Sequence, residues 1–310
     1  MLRFMDGFDH YATAHIGRKW NTAGSFTIDS SNGRNGTGAL KAAGATTATR
    51  TLDNQATWIV GLAMKVTGLT ANPVIDLRDS STSQVSLYLN ADGTLSVRRG
   101  STVLGTTMFA LLTNAWYYVE FKATINNSTG AAEIRVNGES KLSLTGQNTR
   151  QSSNNYANVL ALTSPANSTY FDDLYVCDAM GSANNNFLGD VKIETLYPTG
   201  AGNSAQWTPS TGSNWQNVDD SAPNDDTDYN SSSTAGQVDT HATGNLATTS
   251  GAVYGLQVNI CARKDDAGTR TIKPVIRQSG TDYPQTSVNL GDSYAYTSEI
   301  EETDPATSSA

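Results

Sequence analysis

The segment Trp116–Gly138 restricts the possible folds more than any other part of the chain. Tyr117, Val119, Phe121, Ala123 and Ile125 alternate with Trp116, Tyr118, Glu120, Lys122 and Thr124. This period of two, apolar on one side and mostly polar on the other, is that of a half-buried antiparallel strand. Asn126–Gly130 has turn composition, and Ala132, Ile134 and Val136 alternate with Glu133, Arg135 and Asn137 in a returning strand. Asn137-Gly138 then predicts a two-residue hairpin turn, because both central residues must take positive φ. Leu142 and Leu144 continue the alternation beyond it. Consecutive hairpins of this kind require a β-sandwich or a barrel.

A chain of 310 residues is long for one ordinary sandwich and comfortable for two domains. Only 16% of its residues are charged, below the usual soluble share. Thr, Ser, Asn and Gly fill the difference and give a neutral polar surface. The net charge of -9, with no Lys/Arg cluster, argues against a nucleic-acid partner. No segment approaches the run of about eighteen apolar residues needed to cross a membrane as a helix, so no membrane insertion is expected. Cys177 and Cys261 are too few and too isolated for a disulfide scaffold or a zinc site. The N-terminus shows no secretory h-region. An outward-facing surface on a chain without an export signal fits a virus particle assembled in the host bacterial cytoplasm.

Strands are expected at Phe4–Phe8, Trp58–Val66, Pro73–Leu77, Val85–Leu89, Leu95–Val97, Thr102–Gly105, the Trp116–Leu144 hairpins, Asn158–Leu162 and Tyr170–Val176. Strands at this spacing, with no confident helix, suggest an all-β, jelly-roll-type sandwich over 1–178. Residues 179–189 have linker composition. A second, smaller β-sandwich is expected over 190–310, with Val253–Ala262 as its clearest strand. Pro274 places the strand around it at a sheet edge or a bulge. The polar end Ala306–Ala310 implies either a loose tail or a natural chain that continues.

Few residues suggest chemistry. Glycoside hydrolysis needs two carboxylates at a fixed separation, and neither Glu133 with Glu139 nor Glu299 with Glu301 and Glu302 makes a convincing pair. GxSxG, HExxH and phosphate-loop motifs are absent. The expectation is therefore a protein that is not an enzyme, with no catalytic residues, no metal and no cofactor. His10 and His15 have no third ligand nearby and a spacing that suits no zinc pattern. Asp226, Asp228 and Asn230 match half of a calcium loop, but Ser231 and Gln237 stand where Gly and Glu belong. Asp172 reads either as a calcium ligand or as a structural carboxylate accepting backbone N–H bonds, pointing inward or sitting on a bulge. Trp207, Trp215 and Tyr229 are the candidate glycan-contacting residues, since exposed rings stack on sugars; the other reading makes them scarce core.

Phe4–Asp9, Trp116–Lys122, Glu133–Gly138 and Phe171–Val176 resemble the concanavalin A-like (laminin G-type) sandwich of tailed-bacteriophage virion proteins. The resemblance covers about 1–178 and implies that the opening and closing strands pair. Residues 189–193, Trp215, Asp225-Asp226 and Val258–Lys264 resemble the companion β-domain of such proteins, which usually runs past a position like Asp304-Pro305. The function implied is a structural component of a phage virion (tail, collar or capsid appendage). Its partners would be other virion proteins and further copies of itself as a homo-oligomer. The alternative is a host-attachment adhesin whose partner is a host-surface glycan.

Overall fold

The computed structural model describes residues 1–164 and 168–308. Ser309 and Ala310, the end of the expected tail, lie outside the described residues. Packing divides the chain into two units, Met1–Phe8 with Trp20–Ile193 and Asp9–Lys19 with Glu194–Ala310. The boundaries read from sequence differ from this division at two places. Asp9–Lys19 belongs with the second unit, and residues 179–193, with the composition of a linker, fold onto the first.

The first unit opens with β1 (Leu2–Asp6), β2 (Thr27–Asp29), β3 (Ala39–Ala42), β4 (Thr46–Gln55) and β5 (Thr57–Val66). Next come β6 (Asn72–Asp79), β7 (Thr82–Leu89), β8 (Thr94–Arg99) and β9 (Thr102–Ala110). The series ends with β10 (Tyr117–Thr124), β11 (Gly130–Val136), β12 (Glu139–Gln147), β13 (Ala157–Ser164) and β14 (Thr169–Asp178). One sheet has the order β12-β11-β10-β5-β14-β3-β2, with β1 also on β14; the other has the order β4-β13-β6-β7-β8-β9. The opening and closing strands pair, Phe4 opposite Val176 and Asp6 opposite Leu174.

Alternation explains the core. Val60, Leu62, Val119, Phe121, Ile134 and Val136 line the inner face of the larger sheet. Ile75, Leu77, Val85, Leu87, Leu95, Val97, Leu160 and Leu162 line that of the smaller one, and all are buried. The Asn137-Gly138 turn has φ of 51° and 80°, and Val136 pairs with Glu139 across it. Before the preceding strand, Asn126 Oδ1 accepts the backbone N–H groups of Ser128 and Thr129, both at 3.0 Å. The Phe4–Asp9 motif also has a structural reason: buried Asp6 accepts Phe8 N–H at 3.0 Å and the Trp20 indole N–H at 2.9 Å.

The polar face of β10 departs from expectation. Tyr118 and Glu120 are buried, because residues 186–193 cover them. Gly189 N–H donates to Glu120 Oε1 at 2.9 Å, Leu188 N–H to the Tyr175 hydroxyl at 3.1 Å, and Ile193 N–H to Asp173 Oδ1 at 2.8 Å. Arg135 lies 4.1 Å from the Phe187 ring centroid.

The second unit is all-β apart from short turns of helix at Thr13–His15, Ile16–Lys19 and Asn214–Asn217. Its strands are β15 (Pro198–Ala205), β16 (Thr208–Pro209), β17 (Asn230–Ser231), β18 (Asp239–Thr243) and β19 (Leu256–Ala262). They continue with β20 (Thr271–Ile272), β21 (Val275–Gln278), β22 (Thr281–Pro284), β23 (Val288–Asn289) and β24 (Ala295–Glu301). They join only in twos: β15-β18, β16-β17, β19-β24, β20-β23 and β21-β22. Among the described residues no helix is long and apolar enough to cross a membrane.

Candidate functional site on the six-stranded sheet

Because Leu77, Leu87 and Val97 face the core, the residues between them on β6, β7 and β8 face outward. The register makes one row of Asp76, Ser86 and Arg98, since Asp76 pairs with Ser86 and Ser86 with Arg98. Tyr88 and Ser96 form the next row, and Arg78 stands beside Asp76 on β6. Asp76 and Arg98 are two strand spacings apart, about 10 Å.

The row is charged at both ends. Asp76 is buried and satisfied: Arg78 Nε donates to its Oδ2 and the Ser83 hydroxyl to its Oδ1, both at 2.6 Å. Arg98 has no carboxylate partner among the described residues. Its guanidinium lies 3.6 Å from the centroid of the Tyr88 ring, a close cation–π stack. Nε donates to Ser96 Oγ at 3.2 Å and Nη2 to Asn90 Oδ1 at 2.7 Å. Asn90 is itself held by its bond to Thr94 Oγ1 at 3.0 Å. A guanidinium has five N–H donors, so three remain on Arg98. The Tyr88 and Ser86 hydroxyls also make no hydrogen bond among the described residues.

This arrangement suits an oxygen-rich ligand lying on a sheet face. A ring and its neighbours fix the Arg98 fork in place, so little side-chain entropy is lost when it engages two acceptor oxygens. Ser86 and Ser96 are buried in this face, so the half-buried Tyr88 and Arg98 are its accessible groups. Asp76, Arg78 and Arg98 together carry a single positive charge, in a chain whose net charge is -9.

The residues singled out from sequence lie elsewhere. Trp207, Trp215 and Tyr229 fall in one loop-rich part of the second unit. The Trp207 indole N–H is bonded to the carbonyl of Gln237 at 3.1 Å; Trp215 is half-buried in the turn Asn214–Asn217. The Tyr229 ring is exposed, while its backbone is held by Ser210 and Asn217. The acidic stretch nearby is occupied by arginines. Arg18 donates to both oxygens of Asp225 at 2.5 and 2.7 Å, and Asp226 accepts from Arg263 at 3.0 Å and from the Tyr294 hydroxyl at 2.9 Å. These partners hold both carboxyls below the usual carboxylate range. Asp172 is the structural carboxylate of the two readings: it accepts the backbone N–H groups of Arg34 and Asp173, both at 2.8 Å, at a bulge in β14. His10 lies 3.2 Å from Lys19 Nζ and edge-on to the Tyr11 and Tyr296 rings.

No protein-family model and no curated protein matches the sequence. Solved structures do resemble it. Alginate lyase Aly36B matches with 10% identity and a TM-score of 0.41, over 57% of this chain and 96% of that one. The cellulose-induced protein Cip1 matches with 13% identity and a TM-score of 0.39, over 50% of this chain and 86% of that one. A sialidase matches with 13% identity and a TM-score of 0.36; 55% of this chain covers 19% of it, about a fifth of the sialidase's length. One expectation from sequence is corrected here. Proteins titled as a lyase and a sialidase stand among these neighbours, so the chain is no longer held to be non-enzymatic.

Proposed function

We propose that the chain is a carbohydrate-binding β-sandwich protein that holds an acidic glycan on the outer face of its six-stranded sheet. The observation that carries this reading is Arg98: fixed on Tyr88, bonded to Asn90 and Ser96, yet with three donors that meet no acceptor among the described residues. A carboxylate or sulfate on a sugar is the acceptor that such a fork fits best. A glycan array read with the wild-type protein and with Arg98→Ala tests it. Binding to acidic glycans that Arg98→Ala abolishes is expected. An empty array, or unchanged binding by the variant, removes the proposal.

The resemblance of Phe4–Asp9, Trp116–Lys122 and Phe171–Val176 to tailed-phage virion proteins favours a place for this surface. The reading is that the chain is a particle component and that the glycan belongs to the host envelope. Mass spectrometry of purified particles decides it, and absence of the chain from them ends this reading.

A further inference from the structure

Residues 186–193 cover only part of the outer face of the larger sheet. Their hydrogen bonds reach Glu120, Lys122, Asp173 and Tyr175. Toward the start of β10 the register builds a further row. Tyr117 pairs with Met64, which sets Trp116 opposite Lys65; Lys65 pairs with Tyr170, and Tyr170 with Lys41. Met64, Phe171 and Leu40 beside them are buried in the core, so the row points outward, and each of its four residues is half-buried. Ring and lysine alternate along it. Lys65 Nζ lies 4.9 Å from the Trp116 centroid and 4.4 Å from that of Tyr170; Lys41 Nζ lies 5.4 Å from Tyr170. Cation–π contacts of this kind hold an ammonium that is otherwise mobile on its four-carbon stem. Asp29 accepts one Lys41 N–H at 3.0 Å. Among the described residues Lys65 makes no hydrogen bond or ion pair, and the Trp116 indole N–H makes no hydrogen bond. The unengaged groups at this end of the row are all donors.

We propose that this row is a second binding face, separate from that of Arg98, and that it takes a polyol phosphate: short polyhydroxy units joined by phosphodiesters. An ammonium is a point charge that imposes no planar pairing, so it meets a tetrahedral phosphate from any side, whereas the fork of Arg98 matches two coplanar oxygens. A phosphodiester stays ionised at neutral pH, and its oxygens are more basic acceptors than those of a sulfate ester. The two lysines stand on either side of Tyr170 with their strands two spacings apart, about 10 Å. The ligand that engages both is one that repeats its charge along a chain. A nucleic acid does so too, but it needs ring faces on which to stack its bases, and here lysines stand over the rings. A chain whose uncharged units are short and hydroxylated needs no such platform, and the Trp116 indole N–H is placed to meet its hydroxyls.

The test titrates the full chain with poly(glycerol phosphate) in a calorimeter, at low and at physiological salt. Binding that weakens as salt rises is expected. Lys65→Met keeps an apolar stem between the rings and removes the charge; it is expected to weaken binding about tenfold with the unfolding midpoint unchanged. Trp116→Phe keeps a ring beside Lys65 but removes the indole N–H, and should weaken binding by a smaller factor. Lys141→Ala removes a lysine on β12, away from the row, and should bind as the wild type does. No binding by the wild type overturns the proposal, and so does equal binding by Lys65→Met or an equal loss in Lys141→Ala. Tighter binding of dextran sulfate or of an oligothymidylate than of poly(glycerol phosphate) overturns the assignment of the ligand. Arg98 lies on the other sheet, so these outcomes are independent of the acidic-glycan reading.

Discussion

The ring of Tyr175 lies across the backbone of Gly61, its register partner on β5, so closely that a methyl group at Gly61 would stand 2.1 Å from Cε1. Tyr175 is buried, and its hydroxyl is tied to Glu120 and to Leu188 N–H. Gly61→Ala is expected to destabilise the first unit by about 1–3 kcal/mol, the usual cost of overpacking. Urea denaturation measures it. In a Tyr175→Ala background the same change should cost far less; strictly additive penalties contradict the contact.

Glu120 fastens the 186–193 segment to the outer face of β10. Its Oε1 accepts from Gly189 N–H and from the Tyr175 hydroxyl. Glu120→Leu leaves the buried Tyr175 hydroxyl without its acceptor, at about 1–3 kcal/mol, and releases the half-buried Gly189 N–H. Limited proteolysis should then cut between residues 180 and 190 well before the sandwich unfolds. A digestion pattern like that of the wild type argues that the remaining contacts, Leu188 with Tyr175, Ile193 with Asp173 and Phe187 with Arg135, hold the segment without Glu120.

Arg98→Lys separates charge from shape on the candidate face. Lysine keeps the positive charge but not the planar fork or the stack on Tyr88. Calorimetry with the acidic glycan found on the array should show affinity reduced about tenfold, equal to about 1.4 kcal/mol. The thermal midpoint should move little, since among the described residues Arg98 carries no ion pair. Equal affinity for Arg98→Lys means that charge alone is read.

Acid should weaken the two units in different ranges. Burial lowers the pKa of His15 and His241, both in the second unit, below 6.5. A base with a lowered folded pKa contributes stability above its unfolded value and loses it as pH falls. In the first unit, hydrogen bonds from Asn32 and then Lys41 pull Asp29 down to about 2. Its contribution is complete above the unfolded value near 4 and disappears as pH falls toward 2. Fluorescence and hydrogen exchange followed from pH 8 to 2 should show the second unit loosening from about pH 6.5 and the first holding until below 4. Joint loss in a single step contradicts this order.

The hairpins around Asn137-Gly138 were legible because alternation and turn chemistry are local, and both gave the observed pairing. Burial of Tyr118 and Glu120 was not legible. A polar face reads as solvated unless the segment that covers it is known, and residues 179–189 have the composition of a linker. The candidate face was missed for a related reason. Leu87 and Val97 mark the core, and the residues between them, Ser86, Tyr88, Ser96 and Arg98, look like ordinary surface. A signal was present: the Asp92-Gly93 turn fixes the β7–β8 register and sets Tyr88 diagonally from Arg98. The stack itself depends on rotamers, which a sequence does not display. The tryptophans of the second unit attracted attention because aromatic rings are conspicuous, whereas the acidic residues near them proved to be partners for Arg18 and Arg263.

The pairing of β1 with β14 bears on how the protein is made. Leu2 pairs with Cys177, so this part of the larger sheet stays open until nearly the whole first unit has left the ribosome. Local hairpins such as β10–β11 form early, while β1 waits for its distant partner β14. A ribosome stalled before residue 178 should therefore display a sandwich with a vacant edge on β5, accessible to any extended strand of matching register.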